Sequence, residues 1–120
     1  MAGELIELPW PAKELSPNAR THFHAKARIA KAYREQAYWT AKAHPLAMPE
    51  EGGVALRIEF YPPDARKRDL DNMLASVKAA IDGIADAHGI NDSRFGFWIG
   101  RNPPVKGGKV VFSLDFGGAL

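Results

Sequence analysis

Residues 54–63 read VALRIEFYPP, a run in which large apolar side chains alternate with other residues before two prolines. The apolar positions from Val54 to Phe60 fall on one side of an extended chain, because successive side chains of a strand point to opposite faces. This alternation predicts a half-buried strand, and the prolines end it because proline cannot donate a backbone hydrogen bond to a neighbouring strand. We therefore expect residues 54–61 to form the central strand of a sheet.

A helix is predicted after the two prolines. Apolar residues recur there at steps of three and four, which is the stripe of an amphipathic helix; they are Leu70, Leu74, Val77, Ile81 and Ile84. The stripe predicts one helix from Leu70 to the region of His88, where Gly89 suits the C-terminal cap.

Two further strands are predicted near the end of the chain, at residues 95–101 and 109–116. Val110, Phe112, Leu114 and Phe116 again alternate with their neighbours, and the loop between the two strands contains two prolines and two glycines. This pattern is typical of a β-hairpin with a long loop.

The first third of the chain contains a short strand and a long helix. Residues 5–8 precede Pro9-Trp10-Pro11 and read as a strand that the prolines terminate. Thr21 to Ala43 contains no proline or glycine and is rich in alanine, lysine and arginine, which favour helix.

These elements predict a small α/β (α+β) fold in the order β-α-β-α-β-β, with a mixed sheet of about four strands and two main helices packed on it. The 120 residues, of which 46% are hydrophobic and 25% charged, suit one globular domain spanning residues 1–120. The chain has no cysteine, which excludes disulfides and thiolate chemistry. It also lacks a long apolar run, so we expect no membrane association and a cytoplasmic location.

Charge is concentrated in residues 62–72, which read PPDARKRDLDN and are called the ionic segment below. In an extended chain Asp69 and Asp71 point the same way, and two adjacent carboxylates repel unless a cation or proton lies between them. Mg²⁺ suits this role because it binds one or two carboxylates while keeping water and phosphate ligands. Alternatively, one aspartate caps the following helix, although capping leaves the three consecutive cations unexplained. A phosphodiester site needs both signs of charge.

A third acid, Asp92, lies in the turn of residues 89–93 after the second helix. Taken alone, it is a common turn residue. If the strand after this turn lies beside the central strand, Asp92 could join Asp69 and Asp71 in a three-carboxylate site able to hold two metal ions.

Several motifs together resemble the RusA family of Holliday junction resolvases. They are residues 8–11 (LPWP), 66–72 (RKRDLDN), 78–82 (KAAID), 91–92 (ND) and 105–109 (VKGGK). The resemblance implies a homodimeric, Mg²⁺-dependent endonuclease, with Mn²⁺ as an alternative ion, of phage or prophage type. Its substrate would be branched DNA, chiefly four-way junctions, and a twofold dimer would supply the two cuts that resolution needs.

The resemblance also implies roles for individual residues. Asp69, Asp71 and Asp92 would be the catalytic, metal-binding carboxylates, and Lys78 would correspond to the essential lysine of the family. The familiar pattern places this lysine three residues earlier, where this chain has Ala75, but both positions lie on nearly the same helix face. Alternatively, Lys78 is a solvated lysine that pairs with Asp82.

DNA contacts are predicted at cations in the ionic segment, on the second helix and around the last loop; they are Arg66, Lys67, Arg68, Lys78, Arg101, Lys106 and Lys109. Two alternatives to junction resolution stay open within DNA chemistry, namely a nuclease for other branched DNA and a DNA-binding protein without catalysis. A third is an assembly protein whose ionic segment is a protein interface.

Overall fold

The computed structural model describes residues 4–119, with side chains as far as Asp115. Seven helices and strands follow one another in this range: β1 (Ile6–Pro9), α1 (Phe23–Ala43), β2 (Val54–Tyr61), α2 (Leu70–Ser76), α3 (Lys78–Ala87), β3 (Phe95–Arg101) and β4 (Lys109–Ala119). Short 3₁₀ turns lie at Lys13–Leu15 and Asp92–Arg94. The α+β class and the element order agree with the sequence prediction. No helix within residues 4–119 is both long and apolar enough to cross a bilayer.

The four strands form one mixed sheet in the order β1-β4-β2-β3. β2 pairs in parallel with β3 and antiparallel with β4, so the predicted hairpin of the last two strands is wrong. The loop after β3 instead crosses the end of β2, where Phe60 O accepts from the Asn102 N–H (3.0 Å) and Pro62 O from the Val105 N–H (2.9 Å). This crossing satisfies both edges of β2, which a local hairpin would leave half open.

One face of the sheet is buried beneath the helices. The alternation predicted for β2 is confirmed, because Val54, Leu56, Ile58 and Phe60 are completely buried. Val110 and Phe112 continue this surface on β4, whereas the side chain of Phe116 lies outside the described residues. The opposite face carries polar groups, including Arg57 and Glu59.

The predicted second helix is divided into α2 and α3 at Val77, whose backbone (φ −105°, ψ 8°) departs from helical values. The Val77 N–H donates to Leu74 O, three residues back, at 3.2 Å. The apolar stripe still holds, because Val77, Ile81 and Ile84 are fully buried. Val77 is therefore buried as the apolar stripe predicts, although the helical hydrogen bonds are interrupted at this residue.

Helix ends follow local capping chemistry. α1 begins at Phe23 rather than Thr21 because His22 is its N-cap, with Nδ1 accepting from the His24 N–H at 3.2 Å. Gly89 follows α3 at φ +66°, as its predicted capping role requires. β1 is shifted by one residue from the predicted range and includes Pro9.

α1 and α3 pack closely because Gly83 has no side chain. A Cβ atom at this position would collide with the backbone carbonyl of Arg34 and press on the Cβ of Ala37. Backbone atoms cannot move aside as a flexible side chain can, so Gly83 sets the distance between the two helices.

Gly83→Ala should lower the free energy of unfolding by roughly 1–3 kcal/mol, because overpacking outweighs the better helix propensity of alanine. Chemical denaturation measures this change. Gly52→Ala is the matched control, since Gly52 has open space around its Cβ position and only its positive φ (+85°) is unfavourable. Unchanged stability of the Gly83→Ala protein would contradict the close approach of α1 and α3.

Candidate active site

The ionic segment is folded onto the side chain of Asp64. Asp64 Oδ1 accepts from the backbone N–H of Arg66 at 2.9 Å and from Arg68 Nη1 at 3.0 Å. Arg68 also donates to Asp64 O and Arg66 O, each at 3.2 Å. An aspartate that accepts from the backbone two residues ahead makes a local turn, so Asp64 gives the segment its shape. The hydrogen bond from Arg68, followed by that from the Arg66 backbone, lowers the pKa of Asp64.

The three consecutive cations are not equivalent. The Arg68 side chain is only 16% exposed, and its guanidinium lies over the Trp10 ring at 5.3 Å from the centroid. Arg66 is 75% exposed and touches Asp64 only at 3.5 Å, and Lys67 is exposed as well. Arg68 therefore holds the segment against the start of the chain, while Arg66 and Lys67 remain available to a phosphate.

Asp69 and Asp71 lie at the start of α2 with their side chains exposed. Asp69 occupies the N-cap position, but its side chain makes no capping hydrogen bond. Among the contacts of residues 4–119, neither carboxylate has a hydrogen-bond donor or a cation as partner. The capping alternative is met in position, because Asp69 is the N-cap residue and Asp71 lies in the first turn, where an acid is favourable. Neither carboxylate is used in a capping hydrogen bond, so both can bind an external group.

Lys78 is the first residue of α3 and lies between two acids. Its Nζ is 2.9 Å from Asp92 Oδ2 and 3.2 Å from Asp82 Oδ1. The hydrogen bond to Asp92 raises the pKa of Lys78, and the same bond lowers the pKa of Asp92. Lys78 thus makes the alternative pair with Asp82 and also contacts Asp92, a predicted site residue. The lysine is well placed to stay protonated as a local positive charge.

The turn that carries Asp92 is anchored by its own arginine. Arg94 donates from Nε to Gly52 O and from Nη2 to Pro49 O, both at 2.7 Å. These bonds tie the turn to the loop before β2. Asp92 is therefore held at the amino end of the two parallel strands.

The fold separates Asp92 from the other two predicted ligands within one chain. β3 lies beside β2, as the sequence argument for Asp92 required. The two strands are parallel, however, with Phe95 opposite Val54, so β3 begins at the amino end of β2. Asp92 precedes the amino end of β3, whereas Asp69 follows the carboxyl end of β2, and the two line different cavities. Within residues 4–119, no three histidine, aspartate or glutamate side chains form a group able to hold a metal ion. The metal role of the three aspartates stays a prediction.

Asp69 and Asp71 have the donor chemistry that a hard divalent cation prefers. Both are carboxylates without an internal partner, and Mg²⁺ binds proteins through one or two carboxylates while keeping several waters. Asp92 differs because the ammonium of Lys78 already neutralises it. The expected geometry differs, however, because Asp71 lies in the first turn of α2 rather than in an extended segment, so a shared metal ion stays a prediction.

The other predicted DNA contacts are distributed over three places. Arg101 lines a cavity together with the cations of the ionic segment. Lys109 Nζ lies 3.6 Å from Glu7 and 5.0 Å from the centre of the Tyr61 ring. Lys106 is exposed in the turn before Gly107. Arg101 is thus the one among these three that the fold brings to the ionic segment.

Sequence reasoning missed the supporting residues of this site. Asp64 precedes Arg66 by two residues after a proline, which is a recognisable turn signal, but it was not singled out. The contact of Trp10 with Arg68 has no sequence signal because the two residues are 58 positions apart.

Comparison with known proteins shows the family. No protein-family model matches the chain. The crossover junction endodeoxyribonuclease RusA of Escherichia coli K12 is 32% identical over 128 residues, and the match covers 91% of each protein. The RusA protein of Enterobacteria phage 82 is 30% identical over 123 residues, again with 91% of each covered.

The chain belongs to the RusA family. An uncharacterized protein of Xylella fastidiosa is more similar, at 47% identity over 93 residues, but the match spans only 61% of that protein and 75% of this chain. RusA relatives thus occur in both bacteria and a phage, which leaves the predicted phage or prophage type as a prediction. The family assignment agrees with the resemblance carried by the ionic segment and the later motifs.

The role of Asp64 in this RusA-family site can be tested through the amide resonance of Arg66. The lowered pKa means that the carboxylate's ordering effect is present above the ordinary aspartate pKa of about 3.9 and is lost as pH falls through the folded-state value. NMR titration of the wild type should show the Arg66 amide moving in that acidic range.

Two variants separate charge from geometry in this experiment. Asp64→Asn keeps an oxygen acceptor for the Arg66 N–H and should remove the titration while preserving the folded position of the resonance. Asp64→Ala should shift the resonance to the position of a disordered chain at every pH. An acid titration that persists in the Asp64→Ala protein would contradict this account.

Proposed function

We propose that the chain resolves four-way DNA junctions by cutting phosphodiester bonds in an Mg²⁺-dependent reaction, with a role in DNA recombination and repair. RusA relatives that match over 91% of the chain support this substrate and reaction. The observation that carries the proposal is the start of α2, where two unpartnered carboxylates, Asp69 and Asp71, directly follow the exposed cations Arg66 and Lys67. Exposed acids repel a polyanion, so a protein that only binds DNA would gain no affinity from two acids beside its phosphate-binding cations.

The residues divide the work between binding and charge stabilisation. Arg66 and Lys67 bind the DNA backbone and offset the repulsion between the phosphate and the aspartates. Asp69 and Asp71 would hold the metal ion, which when bound supplies charge neutralisation and activation of water. Lys78, kept protonated by Asp92, would reach the reacting phosphate together with that aspartate and provide a positive charge for the oxygen on which negative charge develops. Arg68 and Asp64 keep the segment in shape.

Asp71→Asn tests the reaction directly. Cleavage of a synthetic mobile four-way junction should fall by roughly 10²-fold or more, because a charged group at the reacting phosphate is lost. Junction binding should persist, and it is measured by mobility shift with the same labelled DNA. Glu35→Gln, which neutralises an exposed acid on α1, is the matched control and should cut normally.

Linear duplex and a forked duplex, each with and without Mg²⁺, complete the design. Junction cutting that requires Mg²⁺ is the expected result. Equal cutting of forks would favour the broader branched-DNA nuclease, and binding without any cutting would favour the non-catalytic protein. Full cleavage by the Asp71→Asn protein would remove this aspartate from the mechanism.

We also propose that the chain acts as a cytoplasmic homodimer. Two symmetric cuts call for two identical sites, which a twofold dimer supplies. Because one chain does not bring Asp92 to Asp69 and Asp71, we expect the complete set of acids to form only between two chains. Each site would then take Asp69 and Asp71 from one protomer and an aspartate at position 92 from its partner.

A mixing experiment tests the shared site. Asp71→Asn and Asp92→Asn proteins should each be inactive, but after subunit exchange their mixture should regain nicking at roughly a quarter of the wild-type rate. Random exchange makes half of the dimers mixed, and each mixed dimer has one intact site of two. The products should be nicked rather than resolved junctions.

A mixture that stays inactive would show that each site is built within one chain. Asp82→Asn serves as the control for the second variant, because Asp82 also contacts Lys78 but lies outside the proposed site. It should retain most of the wild-type cleavage by itself.

A further inference from the structure

The loop of residues 44–53 connects α1 to β2 and is called the bracing loop below, because it contacts both ends of the turn that carries Asp92. Before the turn, His88 Nε2 accepts from the Leu46 N–H at 2.9 Å. After the turn, Arg94 donates to two carbonyl oxygens of the same loop, both at 2.7 Å. One loop therefore holds the chain on either side of this aspartate.

The imidazole of His88 has a defined hydrogen-bonding pattern. Its Nδ1 lies 2.7 Å from Ile84 O, which can only accept, so Nδ1 carries a proton and donates it. Nε2 must then be the acceptor for the Leu46 N–H. The Leu46 residue is itself buried in the core. The neutral ring thus joins the end of α3 to a fixed point of the bracing loop.

The remaining hydrogen bonds of the turn are local. The Ser93 N–H donates to Asn91 Oδ1 at 2.8 Å, which shapes the turn without attaching it to another element. The Ile90 N–H donates to Ala85 O of α3 at 3.1 Å, so the first part of the turn follows the end of this helix. The position of Asp92 therefore depends on how the end of α3 is held relative to the start of β3.

We propose that His88 is a positioning residue for Asp92 in the reaction. The inference rests on the proposed function, in which this aspartate belongs to the reacting site, and it identifies what holds the carboxylate in place. The ring fixes the α3 side of the turn to the bracing loop, and Arg94 fixes the β3 side. Because Lys78 begins α3, the same attachment sets its contact with Asp92, which is 2.9 Å from Nζ to Oδ2. A displacement of about 1 Å at a reacting group can reduce a rate roughly 100-fold.

Two substitutions separate the hydrogen bond to Leu46 from the bulk of the ring. His88→Leu removes the acceptor, and it should cut a synthetic four-way junction roughly 10- to 100-fold more slowly, as is typical when a group that orients a ligand is lost. Junction binding, measured by mobility shift, should match the wild type. His88→Gln places an amide oxygen as far from Cβ as Nε2 is, so it can accept from the same N–H and should recover most of the rate.

Solvent-exchange NMR on the free protein, without Mg²⁺ or DNA, gives a readout that does not depend on cleavage. The Ser93 amide should exchange several-fold faster in the His88→Leu protein and at about the wild-type rate in the His88→Gln protein, because local opening of the turn exposes it. Amides of β2 such as Ile58, which is fully buried, should stay protected in both. Faster exchange throughout the protein would indicate lost stability instead of a role in positioning.

A matched control and a double variant complete the design. His44→Leu removes a histidine of the bracing loop whose exposed side chain makes no hydrogen bond with other residues of 4–119, and it should behave as the wild type in every measurement. Arg94→Met should also slow cutting. If both attachments act through one loop, the double variant of His88→Leu and Arg94→Met should cut no more slowly than the slower single variant, whereas independent effects would multiply.

The outcomes separate this inference from the proposed function. Wild-type cutting by the His88→Leu protein, or unchanged exchange of its Ser93 amide, would overturn the positioning role while leaving the nuclease intact. Slow cutting by the His88→Gln protein with a protected Ser93 amide would overturn it as well. A wild-type protein that cuts no junction under any metal condition would instead refute the proposed function on which the inference rests.

Discussion

Strand β2 is paired along both edges and completely buried on one face, and every candidate functional group is placed relative to its two ends. The ionic segment leaves its carboxyl end, and the parallel neighbour β3 begins beside its amino end. Parallel pairing requires the chain to return along the sheet before β3 can start. This return passes through α2 and α3, so their length separates Asp69 from Asp92.

The same constraint explains the distribution of charge. At the carboxyl end of β2, exposed cations and unpartnered acids lie in one short segment. Near the amino end, Lys78 is balanced by two carboxylates, which leaves Asp92 locally neutralised. The first group is open to a polyanion and a divalent ion. In the second group the charges of Lys78 and its two carboxylates offset one another, and these carboxylates keep the lysine protonated.

The sequence was sufficient to predict the periodic features. Alternation from Val54 to Phe60 and the stripe ending at Ile84 follow from burial on one face, which local spacing records directly. The spacing of residues within a strand does not indicate which strands are neighbours. The last two strands were therefore predicted to pair with each other, although β2 lies between them. The break at Val77 was also invisible, since this residue fits the apolar stripe whether or not the helix is continuous.

The candidate site was predictable to the extent that it is contiguous. Asp69, Asp71 and their cations form one run, whose combination of charges is itself the signal. The hydrogen bond from the Asn102 amide to Glu59 could not be predicted in this way. It needs Gly100 to leave room for the Glu59 carboxylate, and the sheet brings these three positions together. No spacing rule connects them, because strand register sets their contact.

The contact between Trp10 and Arg68 has a consequence for the order in which the molecule is completed. Trp10 directly follows β1, and β1 pairs with β4, which is synthesised about a hundred residues later. Until β4 is made, the first strand has no partner in the sheet, and the aromatic ring has no fixed place beneath the guanidinium. The Arg68 guanidinium of a nascent chain therefore gains its aromatic partner only after β4 has been made.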